Sequence, residues 1–386
     1  MAAKVYPLNS ARFFMALLVI YHHSAKYFIP SLDPRKIQST HQNYFTAFSL
    51  EFRISVSFFF LLSGYSLASA YLKKGKVLDR FRFLAARVAR LYPLYLFMLA
   101  IEAAILLRGR IHMMGLIRGV TSSVEVFAAN GLLLQAMYPQ RWLLINIPTW
   151  SLSGEIFFCI CFPWLATWLW KLKGARLWWA ALALYVGGQA LVWAIQPGID
   201  LEFWSFWPPL HLTTFLLGVL FARWQTLQHQ RKEPVTVKAW QANAVLIGAI
   251  AATLSCVPLE GVFNLTRPWA HGLLAPMYMA VIWSLSTTST AVTRWFSGKW
   301  MVALGNGSYA MYLVHNPILD VFVRHRWVSL PMYLLYFALC VGFSLLSFPY
   351  VETPIRLWLI GRFDAWRLGR RVGTPEGVLA QGAQEP

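Results

Sequence analysis

The sequence predicts an all-α protein: a polytopic membrane helix bundle of about ten transmembrane helices, with one extra re-entrant or interfacial segment. Composition is the first reason, because 58% of the 386 residues are hydrophobic and 13% are charged, whereas soluble domains carry about 25% charged residues. The second reason is that apolar runs of about 20 residues, enough to cross a bilayer as a helix, recur along the chain. The spans are predicted at 13–29, 54–72, 91–107, 150–170, 177–195, 209–226, 242–258, 269–289, 302–323 and 330–350.

The distribution of charge orients this bundle. A net charge of +19 would also suit a nucleic-acid-binding protein, but the basic residues follow the predicted topology instead. With the N-terminus in the cytoplasm, most of the 34 Lys and Arg residues fall in inner loops, and loop 73–90 is the richest, as the positive-inside rule requires. We therefore predict a multi-pass protein of the inner (plasma) membrane with both termini cytoplasmic, surrounded by the lipid bilayer and with no nucleic-acid partner.

Segment 119–137 is apolar enough to enter the bilayer, yet it contains Glu125, Asn130 and Gln135. Counting it as a full span would invert every later loop and remove the charge bias. We predict that it forms a re-entrant or interfacial piece on the outer side, where such backbone is tolerated against protein or water.

The chain is predicted to form a single transmembrane domain, 1–362, followed by a cytoplasmic, disordered tail, 363–386, of low hydrophobicity. The first apolar run is predicted to be a retained helix and not a signal peptide, because histidines interrupt it and no clean cleavage site follows. The four cysteines lie in or at the ends of spans, so no disulfide framework is expected. No metal is expected.

Arg12 and His23 belong to the first predicted helix, and an ionisable side chain at bilayer depth indicates a functional site by default. They are eleven residues apart, which on a helix is three turns plus about 20° and about 16 Å of rise, so both lie on one face. That face is predicted to line a cavity. Alternatively, Arg12 reaches a lipid phosphate and His23 is a hydrogen-bonded core histidine; this helix alone leaves both open. His22 points about 100° away and is predicted to be structural.

Arg87 and Arg90 lie between the second and third spans, close to the membrane. Because they are three residues apart, they are neighbours on a helix surface. Two guanidiniums on one face suit a phosphate-bearing ligand. The alternative is that both belong to an ordinary positive-inside loop.

Glu155 lies near the outer end of the fourth span, and His315 lies just past the middle of the ninth. Together with His23 they are predicted to occupy the outer half of the bilayer and to form one polar chamber, since a buried carboxylate needs a cation or a histidine as partner. The alternative for Glu155 is a structural ion pair, for example with Lys26.

Six segments, in order along nearly the whole chain, resemble the membrane acyltransferase family, type three, whose bacterial members O-acetylate polysaccharides, exopolysaccharides among them, and other extracytoplasmic acceptors. One departure is Ile156, which follows Glu155 where members often have a second acidic or polar residue. The segments are Arg12 with His23, "FFFLLSGYSL", Arg87 with Arg90 before "LYP", "WSLSGE" (150–155), "SYAMYLVH" (308–315) and "ETP" (352–354).

The resemblance implies that an acyl group, most often acetyl, moves from cytoplasmic acyl-CoA to a hydroxyl of a cell-surface or exported polysaccharide or glycolipid. His23 then acts as general base on the acceptor hydroxyl or carries the acyl group as an acyl-imidazole. Glu155, or else His315, is expected to orient it.

In this interpretation Arg12, Arg87 and Arg90 bind the phosphates of the donor, acetyl-CoA or another acyl-CoA, and Tyr309 supports the site. A second hypothesis is a transporter or flippase for a lipid-linked sugar, in which the arginines hold a pyrophosphate. The sequence carries no inverted repeat or paired broken helices of the kind that many transporters contain.

Overall fold

A computed structural model describes residues 6–29, 53–72, 77–195, 201–231, 236–256 and 271–372. Within these ranges every regular element is a helix, which confirms the all-α prediction. Twelve of the helices in these ranges are longer than ten residues. These are α1 (Tyr6–Phe28), α2 (Arg53–Tyr71), α3 (Arg80–Met114), α4 (Leu116–Gly131), α5 (Trp150–Leu169), α6 (Gly174–Ala194), α7 (Pro208–His229), α8 (Ala239–Cys256), α9 (Ala275–Thr287), α10 (Lys299–Arg324), α11 (Leu330–Ser347) and α12 (Thr353–Val372).

Seven helical stretches in the described ranges are long and apolar enough to cross a membrane. They are α2, α3, α5, α6, α7, α8 and the continuous run of α11 and α12. The other three predicted spans coincide with α1 and α10, which carry the polar residues of the candidate site, and with α9, which has 13 residues. The helical membrane bundle is therefore confirmed, and the count of ten spans stays a prediction.

The bundle is held together where small residues let two helices touch. A Cβ at Gly64 of α2 would overlap the backbone carbonyl of Phe215 in α7, and one at Gly218 of α7 would overlap that of Leu61. Next to this contact, the ring of Phe215 stacks on that of Phe158 in α5, with centroids 5.1 Å apart. The main apolar core therefore lies between α2, α5 and α7.

Helix α4 covers most of the segment that the sequence predicted to be re-entrant or interfacial. It folds back along α3 after Gly115, whose φ of +80° suits glycine, and Gly119 packs on the backbone of Ile111. Its 16 residues are about 24 Å long, shorter than the hydrocarbon core of a bilayer. Asn130 at its end donates to the carbonyls of Val126 and Trp142.

The C-terminal helix α12 runs antiparallel to the start of α3. Arg82 pairs with Asp364 at 3.0 Å, and Asp79, just before α3, pairs with Arg367. Helix α12 continues to Val372, so it extends through ten residues of the segment that the sequence assigned to a disordered tail. Residues 373–386 lie outside the described part of the chain.

Candidate active site

A cavity of about 630 Å³ lies between α1, α2, α3, α5 and α10, within the size range of small-molecule sites. Three guanidiniums and one carboxylate line it, so its described wall has a formal charge of +2. The lining comprises Leu8, Asn9, Arg12, Val56, Phe59, Phe60, Ser63, Tyr65, Ser66, Leu67, Ser69, Ala70, Tyr71, Arg87, Arg90, Leu91, Ser151, Leu152, Glu155, Ser308, Tyr309 and Tyr312.

The cavity extends through most of the thickness of the bundle. Along α2 it runs from Tyr71 to Val56, fifteen residues or about 22 Å. Arg12 Nη2 donates to Ser66 Oγ at 3.1 Å, which sets the level of α1 against α2. Since the two helices run in opposite directions, eleven residues further along α1 bring His23 to about the level of Val56. One end of the cavity therefore lies at the arginines and the other near the depth of His23.

Five of the predicted site residues meet at the first end. Arg87 contacts Glu155 and is 6% exposed, while Arg12 and Arg90 line the same space. Tyr309 also lines this end of the cavity. The predicted cluster of three arginines is therefore present as a shared wall of one cavity.

Tyr309 supports this wall from α10. Its hydroxyl donates to the backbone carbonyl of Leu91 at 2.6 Å, one residue beyond Arg90. Because the bond holds the backbone of α3 at Leu91, it also helps to position the side chain of Arg90, the residue before it.

Glu155 lies away from the position beside His23 that the sequence predicted. Ser151, one turn earlier on α5, contacts Tyr312 of α10 at 2.8 Å. From that level Glu155 lies one turn toward the arginine end, and His315 lies almost one turn toward the other, so about 10 Å of depth separates them. At its own depth Glu155 meets Arg87. The three ionisable groups therefore do not share one level.

His315 is the residue that accompanies His23. Its Nε2 lies 3.3 Å from His23 Nδ1, and the ring centroids are 5.2 Å apart. His315 is fully buried, whereas His23 is half-buried. Of the two alternatives for the orienting residue, the geometry therefore favours His315.

Backbone carbonyls determine which ring nitrogen of each histidine carries the proton when the ring is neutral. His315 Nδ1 lies 2.6 Å from the carbonyl of Tyr312, and His23 Nδ1 lies 2.9 Å from that of Val19. A carbonyl only accepts, so both Nδ1 atoms carry the proton. The Nδ1–H of His23 is then shared between the carbonyl of Val19 and His315 Nε2 in a bifurcated hydrogen bond, and the lone pair of His23 Nε2 remains as the basic atom.

Tyr312 separates the cavity from the histidines. It lines the cavity, and its ring lies 5.7 Å from that of His315. Its hydroxyl lies 2.8 Å from Ser151 Oγ and 2.6 Å from the carbonyl of Pro148. Phe59 of α2 lies against it, with ring centroids 6.5 Å apart. The described lining therefore reaches Tyr312 and stops about one helical turn before His315.

Tyr312 was not predicted from the sequence as a site residue, although a signal for it was present. It lies three residues before His315 in "SYAMYLVH", so the two share a helix face. Ser151 carried a similar signal, because it lies in "WSLSGE" about one helical turn before Glu155.

The fold and the site together define an integral membrane protein in which a cationic cavity leads toward a pair of contacting histidines. Over residues 5–349 the chain matches the family described as "Acyltransferase domain". The chain belongs to this family, the type-three membrane acyltransferases, which confirms the resemblance inferred from the six segments.

Two relatives of the chain have names that refer to acyl transfer. The chain is 28% identical to Acyltransferase MdmB of Streptomyces mycarofaciens over 284 residues, 68% of this chain and 67% of that protein. It is 24% identical over 332 residues, 78% of its own length, to a protein of Staphylococcus aureus strain COL to which O-acetyltransferase activity is ascribed. The chain spans 52% of that relative. No solved protein structure shows a significant match.

Proposed function

We propose that the protein is an O-acyltransferase that moves an acyl group, acetyl in the first instance, from cytoplasmic acyl-CoA to a hydroxyl of an exported or cell-surface polysaccharide or glycolipid. The observation that carries the proposal is the cavity, which joins three arginines to a wall one helical turn from the His23–His315 pair. The proposed location is the inner membrane, with both termini cytoplasmic and the arginine end of the cavity facing the cytoplasm.

The donor end follows from charge. In the described lining of the cavity, Arg12, Arg87 and Arg90 outnumber the one carboxylate, that of Glu155, and buried cations require an anionic partner. Guanidiniums bind phosphate oxygens through paired hydrogen bonds, so the nucleotide phosphates of acyl-CoA are the proposed partner. The thin pantetheine arm then extends along α2 and brings the thioester to the far end.

The transfer needs one base, for which His23 Nε2 is suited. It takes the proton of the acceptor hydroxyl as the oxygen attacks the thioester carbonyl. A C–O bond forms, the C–S bond breaks, and CoA leaves as a thiolate that receives the proton from His23. His315 acts as a positioning residue, since its Nε2 accepts from His23 Nδ1 and directs Nε2 of His23 away from α10.

Membership of the family favours this enzyme over the transporter hypothesis. The relatives are named for acyl transfer and, in Staphylococcus aureus, for O-acetyl transfer. A transporter would also leave the His23–His315 contact without a chemical role.

The test is transfer of label from [14C]acetyl-CoA into the glycan and glycolipid fractions of source-cell membranes, with release of free CoA measured alongside. His23→Ala should reduce transfer by about 10²- to 10⁴-fold, the contribution of a positioned general base. His22→Ala is the matched control, because its ring lies beside His23 on the same helix and should leave most of the rate.

Expression and insertion of each variant are checked first, because a substitution inside the membrane can impair both. The proposal is contradicted if a well-expressed His23→Ala variant transfers acetyl at the parental rate while His315→Ala is inactive. A parental protein that moves label into no acceptor and releases no CoA would contradict the enzyme assignment itself.

A further inference from the structure

We infer that three aromatic side chains at the far end of the cavity, Phe59, Phe60 and Tyr312, form a collar that selects donors with acyl groups of two or three carbons. The inference rests on the proposed function and adds the residues that set its substrate range. All three line the cavity, and they belong to two helices, α2 and α10.

The collar lies where the acyl group has to be. The phosphates bind at the arginines, and Arg12 lies at the level of Ser66. This is ten residues, or about 15 Å along α2, from the level of Val56, where the thioester must approach His23. Carbons beyond the thioester carbonyl therefore enter the part of the cavity that is lined by Phe59, Phe60 and Tyr312. The opposite end is lined by charged groups, where an alkyl chain would displace water from guanidiniums without gaining apolar contact.

Tyr312 is held rigidly on one side of the collar. Its hydroxyl is bonded to Ser151 and to the carbonyl of Pro148, so the ring cannot rotate away without breaking both contacts. The ring of Phe59 packs against the ring of Tyr312 in a T-shaped arrangement, with 67° between the ring planes. A ring fixed by two polar contacts resists the displacement that a longer acyl chain would require.

Phe60, on another side of the collar, is packed against residues of α5. Its ring lies edge-on to Trp150 at 5.9 Å and to Phe158 at 4.9 Å. On α5 it rests against Gly154, where an added Cβ would lie 3.3 Å from the ring. Because Trp150 and Phe158 hold the ring from α5, a methyl group at Gly154 can be relieved by moving the ring of Phe60 toward the cavity.

This arrangement gives two substitutions with opposite effects. Phe59→Ala removes one ring and lengthens the acyl space, whereas Gly154→Ala moves another ring inward and shortens it. One methylene in a close-fitting pocket changes kcat/KM by roughly 10- to 200-fold. A collar that measures chain length must therefore respond to both, and in opposite directions.

The experiment measures kcat/KM of the purified full-length protein with acetyl-, propionyl-, butyryl- and hexanoyl-CoA. The parent should prefer acetyl- and propionyl-CoA. Phe59→Ala should raise the butyryl-to-acetyl ratio by at least about 10-fold, and Gly154→Ala should lower the propionyl-to-acetyl ratio by about 10-fold. If Phe59→Ala is poorly folded, Phe59→Leu should shift the ratio in the same direction by a smaller factor.

Leu8→Ala is the matched control, because Leu8 lines the same cavity at the arginine end and its truncation enlarges the space without touching the collar. Its donor ratios should equal those of the parent. The inference is overturned if the parent uses hexanoyl-CoA as well as acetyl-CoA, if Phe59→Ala keeps the parental ratios, or if Leu8→Ala changes them as strongly. A parent that consumes none of the donors contradicts the proposed function instead.

Discussion

Because Arg87 contacts Glu155, substituting either residue alone also leaves the other without this partner. Removing Arg87 deletes a phosphate contact and also leaves a carboxylate in the cavity without the guanidinium it touches. That carboxylate would repel an anionic donor, and unpaired buried charges are strongly unfavourable. Removing Arg90 deletes a guanidinium from the same wall and leaves the Arg87–Glu155 contact in place.

We therefore expect Arg87→Ala to weaken acyl-CoA binding more than Arg90→Ala does. A charge-assisted hydrogen bond contributes about 1.5–3 kcal/mol, which corresponds to roughly 10- to 150-fold in the donor Kd. The double variant Arg87→Ala/Glu155→Ala should bind more tightly than Arg87→Ala alone, since it removes the repelling carboxylate. Calorimetric titration with acyl-CoA measures the donor Kd of the detergent-purified parent, of the three single variants Arg87→Ala, Arg90→Ala and Glu155→Ala, and of the double variant. Purely additive effects would show that the two side chains do not act as a pair.

At this scale the sequence predicts what lies on one helix better than what lies between helices. The shared face of Arg12 and His23 follows from helical spacing alone. The partner of Glu155 does not, because it depends on the level at which α5 begins. A loop that contains Asn146 with a φ of +41° sets that level, and the sequence carries no clear sign of this turn.

Among the elements, α2 and α7 are packed backbone to backbone. Gly64 and Gly218 each lie directly under a carbonyl of the other helix, and small residues of this kind let membrane helices approach. A methyl group at either position forces the helices apart. Since α2 carries the collar and α7 packs behind it, their separation also disturbs the cavity wall.

Gly64→Ala and Gly218→Ala should each lower the stability of the detergent-solubilised protein by at least the 1–3 kcal/mol typical of overpacked cores. The matched controls are Gly187→Ala in α6 and Gly248→Ala in α8, where an added Cβ has no neighbour within 4 Å. Midpoints of thermal unfolding compare the four variants. Equal midpoints for both pairs would mean that the α2–α7 contact does not limit stability.

Hydrophobicity locates helices but not their ends. The third span was predicted at 91–107, whereas α3 has 35 residues from Arg80 to Met114. It begins early because the side chain of Asp79 accepts from the backbone nitrogen of Arg82 at 3.0 Å, which is an N-cap. Such caps act outside the apolar run, so a count of apolar residues does not include them.

For the whole molecule, contacts between distant residues fix the relative directions of the helices. Asn9 contacts Asn306, and fourteen residues later His23 contacts His315, so α1 and α10 run parallel. Helix α12 runs antiparallel to α3. The start of α1 and the end of α12 therefore lie at the arginine end of the bundle. The cytoplasmic position of both termini stays a prediction.

Whether α4 crosses the membrane decides the orientation of every later segment. If α4 does not cross the membrane, Arg118 at its start lies outside and Lys238, just before α8, lies in the cytoplasm. If α4 crosses, every later segment is inverted and the two positions lie on the same side. The short length of α4 and the bias of positive charge both favour the first arrangement.

Labelling with a membrane-impermeant maleimide distinguishes the two arrangements. Both Arg118 and Lys238 are exposed, and the background is a parent in which the partly exposed Cys161 and Cys256 are replaced by Ser. Arg118→Cys should react in intact cells or spheroplasts, and Lys238→Cys should react only after the membrane is permeabilised. Reaction of both from outside would establish that α4 spans the bilayer, and the cytoplasmic position of the C-terminus would then be wrong. Reaction of Lys238→Cys alone in intact cells would show that the whole bundle has the opposite orientation. The arginine end of the cavity would then lie outside, away from cytoplasmic acyl-CoA.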